Sequence, residues 1–256
     1  MILFLIKKTF FDMWDNLLSI FLLNMGFLLV AAGGFYALSL MSHPLFFFGT
    51  AFLAFLALCL YTGVVAMMTR DIANYQSPEF RNVIPYLKET WKVSTVLALL
   101  ILAQLLIVEI VMPWYLGLKN LVGLAIGSLL FWFSLTWWLA AQYYFPIRAQ
   151  IDTEIKNIFR KCFIFFFDNT IFSIGLAIGS VLIALLSSLV MFLLPGVAVV
   201  LLWHQSALKL RLYKYTYLET NPQADRKKIP WNDILAEERD RVGTRSLRGM
   251  IFPWKE

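Results

Sequence analysis

Residues that bind metals or perform acid–base chemistry are scarce in this chain of 256 residues. It contains two histidines and two cysteines, and 15% of its residues are charged. Cys59 and Cys162 are too few and too isolated to form a disulfide framework or a metal cluster. The sequence also lacks a His-Glu-x-x-His motif, a phosphate-binding glycine loop and a close pair of carboxylates within an apolar segment. We therefore expect no cofactor and no enzymatic activity.

Apolar residues dominate the chain instead. They make up 60% of it, aromatic residues make up 16%, and the mean hydropathy is +0.72, values outside the range of ordinary soluble domains. Runs of nearly uncharged residues recur, each long enough to cross a hydrocarbon core ~30 Å thick. The sequence predicts an all-α integral membrane protein in which residues 1–217 form a six-helix transmembrane domain. The predicted spans cover about residues 16–40, 45–68, 93–112, 121–145, 171–190 and 192–212.

The last two spans come from one apolar block that is too long for a single ordinary span. This block runs from Ile171 to Leu208, about 38 residues, whereas ~20 residues suffice to cross a bilayer. Ser187–Ser188 and Pro195–Gly196 are both turn signals. We expect a turn between Ser187 and Gly196, and the pattern does not choose between the two pairs.

The lysines and arginines predict the orientation in the membrane. In a six-span arrangement, 21 of the 22 fall on one side, and Lys119 alone falls on the other. The positive-inside rule then puts both termini in the cytoplasm. The net charge of +6 reflects this basic face, so we expect a lipid bilayer and no nucleic acid as partner. The predicted location is the bacterial cytoplasmic membrane.

Each predicted pair of spans is preceded by an amphipathic segment that carries aromatic residues. In the third segment, apolar residues recur at helical spacing from Ile151 to Phe163, between basic side chains. Such a helix is typical of the membrane interface, and a plain cytoplasmic loop is the alternative. The three segments are Phe10–Asn16, Phe80–Lys92 and Ile151–Asn169.

These segments also repeat one another. Trp14, Trp91 and Phe167 are spaced by 77 and 76 residues, and Asp15–Asn16 recurs as Asp168–Asn169. Internal repeats are common in membrane proteins. The sequence therefore predicts three tandem helical hairpins, each led by an interfacial segment.

Three polar residues within the predicted spans are candidates for function. Glu109 is costly in a membrane and indicates a pathway or proton role, although it is close enough to Met112 to reach the outer interface. His204 suits a proton relay or ligand contact, and a hydrogen-bonded packing role is the simpler alternative. Gln104 suits a hydrogen bond between helices.

Four glycines are candidates for close helix packing. The hexapeptide Gly-Leu-Ala-Ile-Gly-Ser occurs twice, with its glycines four residues apart, and small residues at this spacing let helix backbones approach closely. The two copies lie at different predicted depths, so we expect each to face a different neighbour. The glycines are Gly123, Gly127, Gly175 and Gly179.

Residues 218–256 are predicted to form a soluble basic tail in the cytoplasm. Arg226–Lys228 suits anionic lipid headgroups, and Trp231–Val242 is typical of a short charged helix that ends at Gly243. The chain then carries an apolar aromatic knot at its C-terminus, suited to docking on a partner or on the membrane. The candidate docking residues are Arg248, Met250, Ile251, Phe252 and Trp254.

Parts of the chain resemble a known family. Gln142–Asp168 (QYYFPIRAQIDTEIKNIFRKCFIFFFD), the opening FFDMWDNLLSIFLLN and the segment Tyr61–Trp91 are similar to the YesL-like family of bacterial membrane proteins of unknown function. The resemblance covers about residues 8–217. The chain departs from the family's pattern over about residues 222–256 and in the scarcity of a small-residue turn after the first span.

This resemblance implies six spans and a frequent association with genes for carbohydrate uptake and utilisation, and it implies no catalytic residues. Our leading hypothesis is a non-enzymatic accessory or scaffold protein of the cytoplasmic membrane, partnered by another membrane protein or complex. A small transporter or channel that uses Glu109 and His204 is the first alternative. A membrane sensor whose basic tail responds to lipid charge is the second.

Overall fold

The computed structural model describes residues 1–225, 229–243 and 245. Within these residues the chain forms α-helices joined by turns, with a 3₁₀ turn at Phe80–Asn82 and a π-helical segment at Ile107–Val111. The helices are α1 (Ile2–Asp15), α2 (Leu17–Ser39), α3 (Pro44–Ala73), α4 (Val83–Leu106), α5 (Met112–Gly117), α6 (Leu121–Ala141), α7 (Tyr144–Gln150), α8 (Ile155–Asp168), α9 (Thr170–Ser188), α10 (Gly196–Thr220), α11 (Trp231–Ile234) and α12 (Ala236–Val242).

Five helical stretches of the described chain are long and apolar enough to cross a membrane. They expose leucine, isoleucine and phenylalanine side chains over much of their surface, which suits contact with lipid. The chain is therefore an all-α protein of the membrane class. The stretches are Leu17–Ser39, Pro44–Ala73, Phe80–Gly117, Leu121–Gln150 and Thr170–Ser188.

The sixth predicted span corresponds to α10, which is long but falls outside these five. Its 25 residues include His204, Gln205, Lys209 and Arg211, and these polar side chains lower its hydropathy. The helix packs against α1, α2, α3, α7 and α9, and many of its side chains are buried. Because α10 faces protein on most sides, it does not need the uniformly apolar surface of a lipid-facing helix. The hydropathy of the helices thus identifies five candidate spans where the sequence predicted six.

Helix α3 joins parts of the chain that the sequence predicted as separate hairpins. It packs against α2, as predicted for the first hairpin, but also extensively against α4 and α10. Gly63 permits the approach of α4, since a Cβ atom at this position would lie 2.2 Å from Ser94 Oγ. The bundle is therefore a connected whole, and its arrangement as three tandem hairpins stays a prediction.

Two asparagines end the leading helices and start the helices that follow. At Asn16 and Asn169 the backbone leaves the helical conformation, and each side-chain amide donates to the carbonyl four residues earlier, Asp12 O at 3.0 Å and Phe165 O at 3.2 Å. The middle copy has Val93 at the position that matches these asparagines, and α4 continues through it without a break. The repeated Asp-Asn pair therefore corresponds to a repeated elbow.

The turn between α9 and α10 covers residues 189–195, within the predicted range, and the two sequence signals lie at its ends, with Ser187–Ser188 ending α9 and Pro195–Gly196 starting α10. Ser187 Oγ accepts a hydrogen bond from the Gly196 amide. Asn24, buried in α2, donates to Leu193 O and Pro195 O and accepts from the Ala198 amide at 2.9 Å. Asn24 thereby satisfies free backbone groups at the start of α10.

The C-terminal helices pack on the bundle instead of extending into solvent. Leu235 and Val242 are buried beside the ends of α1 and α10, and Glu238 is 3% exposed. The expected break at Gly243 is present, with a backbone φ of 72°. Residues 231–243 thus belong to the folded body of the protein.

Candidate functional site

The most extensive group of buried charges surrounds Glu238 of α12. Lys209 Nζ lies 2.8 Å from Glu238 Oε1, and the Tyr213 hydroxyl donates to the same oxygen at 2.7 Å. The Tyr75 hydroxyl donates to Oε2, and Lys8 Nζ lies 3.6 Å from it. Two lysines and two tyrosines from three separate segments therefore meet this one carboxylate.

The two lysines are further tied to the bundle. Lys8 is fully buried, and its ammonium donates to Asp12 Oδ2 at 2.8 Å and to Ala73 O at 3.2 Å. Lys209 donates to the same carbonyl at 2.9 Å. Ala73 is the last residue of α3, where the helix dipole favours cations. Both ammonium groups also lie over the Tyr75 ring, at 3.8 and 4.6 Å from its centroid. We call Lys8, Asp12, Tyr75, Lys209, Tyr213 and Glu238 the Glu238 cluster.

The cluster shifts the pKa values of its two acids in opposite directions. Burial opposes ionisation of Glu238, but the hydrogen bonds from Lys209, Tyr75 and Tyr213 and the charge of Lys8 outweigh it and lower its pKa. Burial dominates at Asp12 and raises its pKa to about 6, against the influence of Lys8. Glu238 is thus held as a carboxylate, while Asp12 titrates near neutral pH.

This arrangement is structural in its chemistry. The oxygens of Glu238 are occupied by donors from the chain itself, so this carboxylate is not free to act as a nucleophile or base. It connects the N-terminal helix α1, the end of α3, α10 and the C-terminal helix α12. The cluster therefore fixes residues 231–243 at the end of the bundle that carries the lysines and arginines, which we call the basic end.

Other ion pairs strengthen the basic end. Arg148 of α7 is 6% exposed and donates to Glu89 Oε1 at 3.0 Å and to Glu89 O at 3.1 Å. Lys214 of α10 lies 2.9 Å from Asp168 Oδ2 at the elbow before α9. These contacts join the ends of α4, α7, α8 and α10.

A second candidate site is a cavity of about 300 Å³ between α4, α6, α9 and α10. His204 faces it, and its Nε2 lies 2.7 Å from Ser180 Oγ of α9. Gln142, which follows the end of α6, contributes an amide side chain to the lining. The remaining lining residues are Leu97, Ile101, Trp137, Trp138, Ala141, Phe145, Pro146, Ala177 and Leu201.

The three predicted intramembrane polar residues do not meet at this cavity. Only His204 lines it. Glu109 is exposed on the π-helical segment, a type of helix defect often found at functional sites. Gln104 is buried, and its amide nitrogen has no hydrogen-bond partner in the described chain. A pathway through Glu109 and His204 together therefore has no geometric basis in these contacts.

The paired glycines face different neighbours. A Cβ atom at Gly123 or Gly127 would meet Tyr115 O or the Leu116 side chain of α5, at 2.2 and 2.5 Å. Gly179 packs equally closely on the Trp203 ring of α10, whereas Gly175 faces Ile2 of α1. Three of the four glycines thus lie where any side chain would collide with a neighbour.

Several predicted residues lie outside the described part of the chain. These are the docking residues Arg248, Met250, Ile251, Phe252 and Trp254 and the basic segment Arg226–Lys228. Their roles remain predictions. Arg245 is described, and its Nη1 lies 2.9 Å from the Asp15 carboxylate at the end of α1.

The Glu238 cluster was not predicted from the sequence. Lys8 and Asp12 have the i,i+4 spacing of a helical ion pair, so this one pair could have been predicted from the sequence. Nothing in the pattern links it to Lys209 or Glu238, about 200 and 230 residues further on. Within the described residues, no group of three His, Cys, Asp or Glu side chains is placed to hold a metal ion.

Comparisons with known proteins do not assign this chain to a family. No protein-family model matches the chain, and no curated protein and no solved structure matches it.

Proposed function

We propose that this protein is a non-enzymatic accessory or scaffold protein of the bacterial cytoplasmic membrane. The observation that carries the proposal is the Glu238 cluster, which uses buried charges to fasten the C-terminal helices to the bundle. Buried ion pairs are costly to form and here contribute no reactive group. Their use at this position supports a role in holding the chain beyond Gly243 at a defined place.

In this proposal α10 is a sixth crossing, and both termini are cytoplasmic. The antiparallel packing of α9 and α10 supports it, as do the contacts of Lys8 and Lys209 with Ala73 at the basic end. The distribution of lysines and arginines supports the orientation. With six crossings, the basic end faces the cytoplasm and Lys119 faces outward.

The partner in this proposal is another membrane protein or complex, contacted through Arg248, Met250, Ile251, Phe252 and Trp254. Apolar aromatic residues flanked by charges are suited to such contacts. The resemblance to the YesL-like family favours a component of a carbohydrate uptake system. Transport through Glu109 and His204 has weaker support, because the two residues do not line a common cavity.

The test is extraction from native membranes in mild detergent, followed by mass spectrometry of the proteins that co-purify. The full chain is compared with a variant in which Met250, Ile251, Phe252 and Trp254 are all changed to serine. We expect a stoichiometric partner with the full chain and its loss with the variant. A full chain that purifies alone at native expression would contradict the proposal.

A matched control keeps the tail and changes an exposed charge on α12. The Glu237 side chain is 75% exposed and pairs with Arg241, so Glu237→Gln keeps every residue of the Glu238 cluster. This variant is expected to retain the partner.

A further inference from the structure

The cavity beside His204 opens toward the lipid-facing surface. Helix α4 packs chiefly against α3, and α9 packs chiefly against α10, which leaves a gap between them that α6 does not fill. Trp138 at the rim is 47% exposed. The neighbouring surfaces of α4, α6 and α9 carry exposed apolar residues such as Leu99, Leu135 and Ile178. A molecule would therefore enter this cavity from the bilayer.

The composition of the lining restricts the class of ligand. Aliphatic and aromatic side chains form most of it, and its volume of about 300 Å³ is at the lower end of the range for ligand pockets, ~300–1,000 Å³. The lining contains no lysine, arginine, aspartate or glutamate. A sugar or an ion would lose its hydrogen bonds to water here and gain few from the lining. A single apolar chain has no such hydrogen bonds to lose.

The hydrogen bonds of Ser180 and His204 define what the polar end of the ligand must be. Ser180 Oγ has one proton and lies within reach of two acceptors, Leu176 O at 2.9 Å and His204 Nε2 at 2.7 Å. Leu176 O also accepts from Trp203 Nε1 at 3.0 Å, so the contacts allow either tautomer of His204. In both tautomers Nδ1 has no hydrogen-bond partner in the described chain, and a hydroxyl group suits both because it can donate and accept.

Gln142 leads to the same conclusion. Its amide nitrogen donates to Leu139 O at 2.7 Å and to Ser173 O at 2.9 Å. Two carbonyl partners fix the orientation of the amide, because a flipped amide would put oxygen against oxygen. Both N–H groups are therefore used, and Oε1 is left as an acceptor. Gln142 therefore requires a hydrogen-bond donor, and a hydroxyl group can meet the needs of both Gln142 and His204.

We infer that the cavity is a binding site for a membrane amphiphile that combines one apolar chain with a free hydroxyl group, the class of long-chain alcohols and monoacylglycerols. The chain packs against Trp137, Ile101 and Leu201. The hydroxyl donates to Gln142 Oε1 and forms a second hydrogen bond with His204 Nδ1. This inference is independent of the proposed partner at the basic end, since it concerns a different surface and a different ligand.

The test uses a long-chain alcohol that carries a photoreactive diazirine in its chain, and the methyl ether of the same molecule as the matched probe. Full-length protein in nanodiscs is irradiated with each probe, and the labelled residues are identified by mass spectrometry. Because a neutral hydrogen bond contributes about 1 kcal/mol net, the alcohol should label the cavity residues roughly fivefold more than the ether. Equal labelling of the cavity by the two probes would overturn the inference, and this comparison needs no variant.

Two variants on one helix locate the site. Ala177 lines the cavity, whereas Ile178 is 57% exposed on the outer surface of α9. Ala177→Phe should abolish labelling of the cavity residues, and Ile178→Phe should leave it unchanged. His204→Phe should reduce labelling of the cavity residues by the alcohol. Labelling that persists in Ala177→Phe, or labelling by the alcohol that His204→Phe leaves unchanged, would also overturn the inference.

Discussion

At the scale of single residues, Glu238 determines how the C-terminal helices attach to the bundle. Its carboxylate is met by Lys209, Tyr75 and Tyr213 at hydrogen-bonding distance, and it is almost inaccessible. Removing one member of such a group leaves the others buried and uncompensated, which costs more than the group contributes when complete.

Glu238→Gln should therefore loosen α12 on the bundle. Breaking a buried ion pair costs ~3–5 kcal/mol, and since glutamine keeps part of the hydrogen bonding we expect about 2 kcal/mol. The measurement is hydrogen exchange of the Ala236–Val242 amides, which should accelerate roughly thirtyfold. Glu237→Gln is the control and should exchange at the wild-type rate. The same rate in Glu238→Gln would show that the cluster does not hold α12.

Asp12 gives the cluster a pH dependence that can be isolated. Burial raises its pKa from 3.8 to about 6, so the folded protein binds this proton more tightly than the unfolded chain. The stabilisation from this group is complete below pH 3.8 and is lost as the pH rises through 6. Glu238 acts in the opposite sense, because its pKa is lowered and its stabilisation is lost as the pH falls.

Comparison with Asp12→Asn separates the two acids. Because the variant has no carboxyl group to titrate, we expect the stability of the native protein relative to the variant to rise by about 2 kcal/mol from pH 7.5 to pH 4. Thermal unfolding of both proteins in one detergent, from pH 4 to 7.5, measures this. A difference between the two proteins that does not change with pH would contradict the raised pKa.

At the scale of elements, the best predicted helices are those that face lipid. The stretches Leu17–Ser39 and Pro44–Ala73 follow continuous apolar runs, because a helix surrounded by hydrocarbon must be apolar on every side. The elbows at Asn16 and Asn169 also correspond to a sequence pattern, the repeated Asp-Asn pair. Hydropathy was a poorer guide to α10, because its neighbours are protein side chains.

Asn24 shows a contact between elements that no local pattern contains. It lies in α2 and is 1% exposed, yet it satisfies backbone groups of the turn before α10. Its partners are about 170 residues away in the chain, so nothing near Asn24 in the sequence indicates this role.

Asn24→Ala should detach the start of α10 from α2. The change leaves two carbonyls and one amide without their partner, and unsatisfied buried groups cost ~1–3 kcal/mol each. We expect a loss of about 3 kcal/mol, seen as a lower midpoint of thermal unfolding and faster exchange at Val197–Val200. Asn221→Ala, which removes hydrogen bonds at an exposed site, should change stability by less than about 0.5 kcal/mol. Equal effects of the two variants would exclude the capping role.

At the scale of the whole molecule, composition predicted the membrane class and the helical fold, and the structure agrees with both. Composition did not predict how the chain ends pack. Residues 231–243, part of the predicted tail at 218–256, pack on the bundle. No sequence pattern indicated this packing, because it depends on Glu238 meeting lysines far away in sequence. The polar residues chosen from the sequence were those that stood out in apolar runs. This criterion found His204 and could not find Lys8 or Glu238, which lie among other charged residues.

The number of crossings is the central claim about the whole molecule, and cysteine accessibility tests it most directly. Cys59 and Cys162 are buried and can be replaced by alanine, so single cysteines can be introduced at Lys119, Phe192 and Gln223. An impermeant thiol reagent is applied to spheroplasts before and after permeabilisation. We predict that positions 119 and 192 react at once and that position 223 reacts only after permeabilisation. Positions 192 and 223 reacting on the same side would show that α10 does not cross the membrane and would contradict the account.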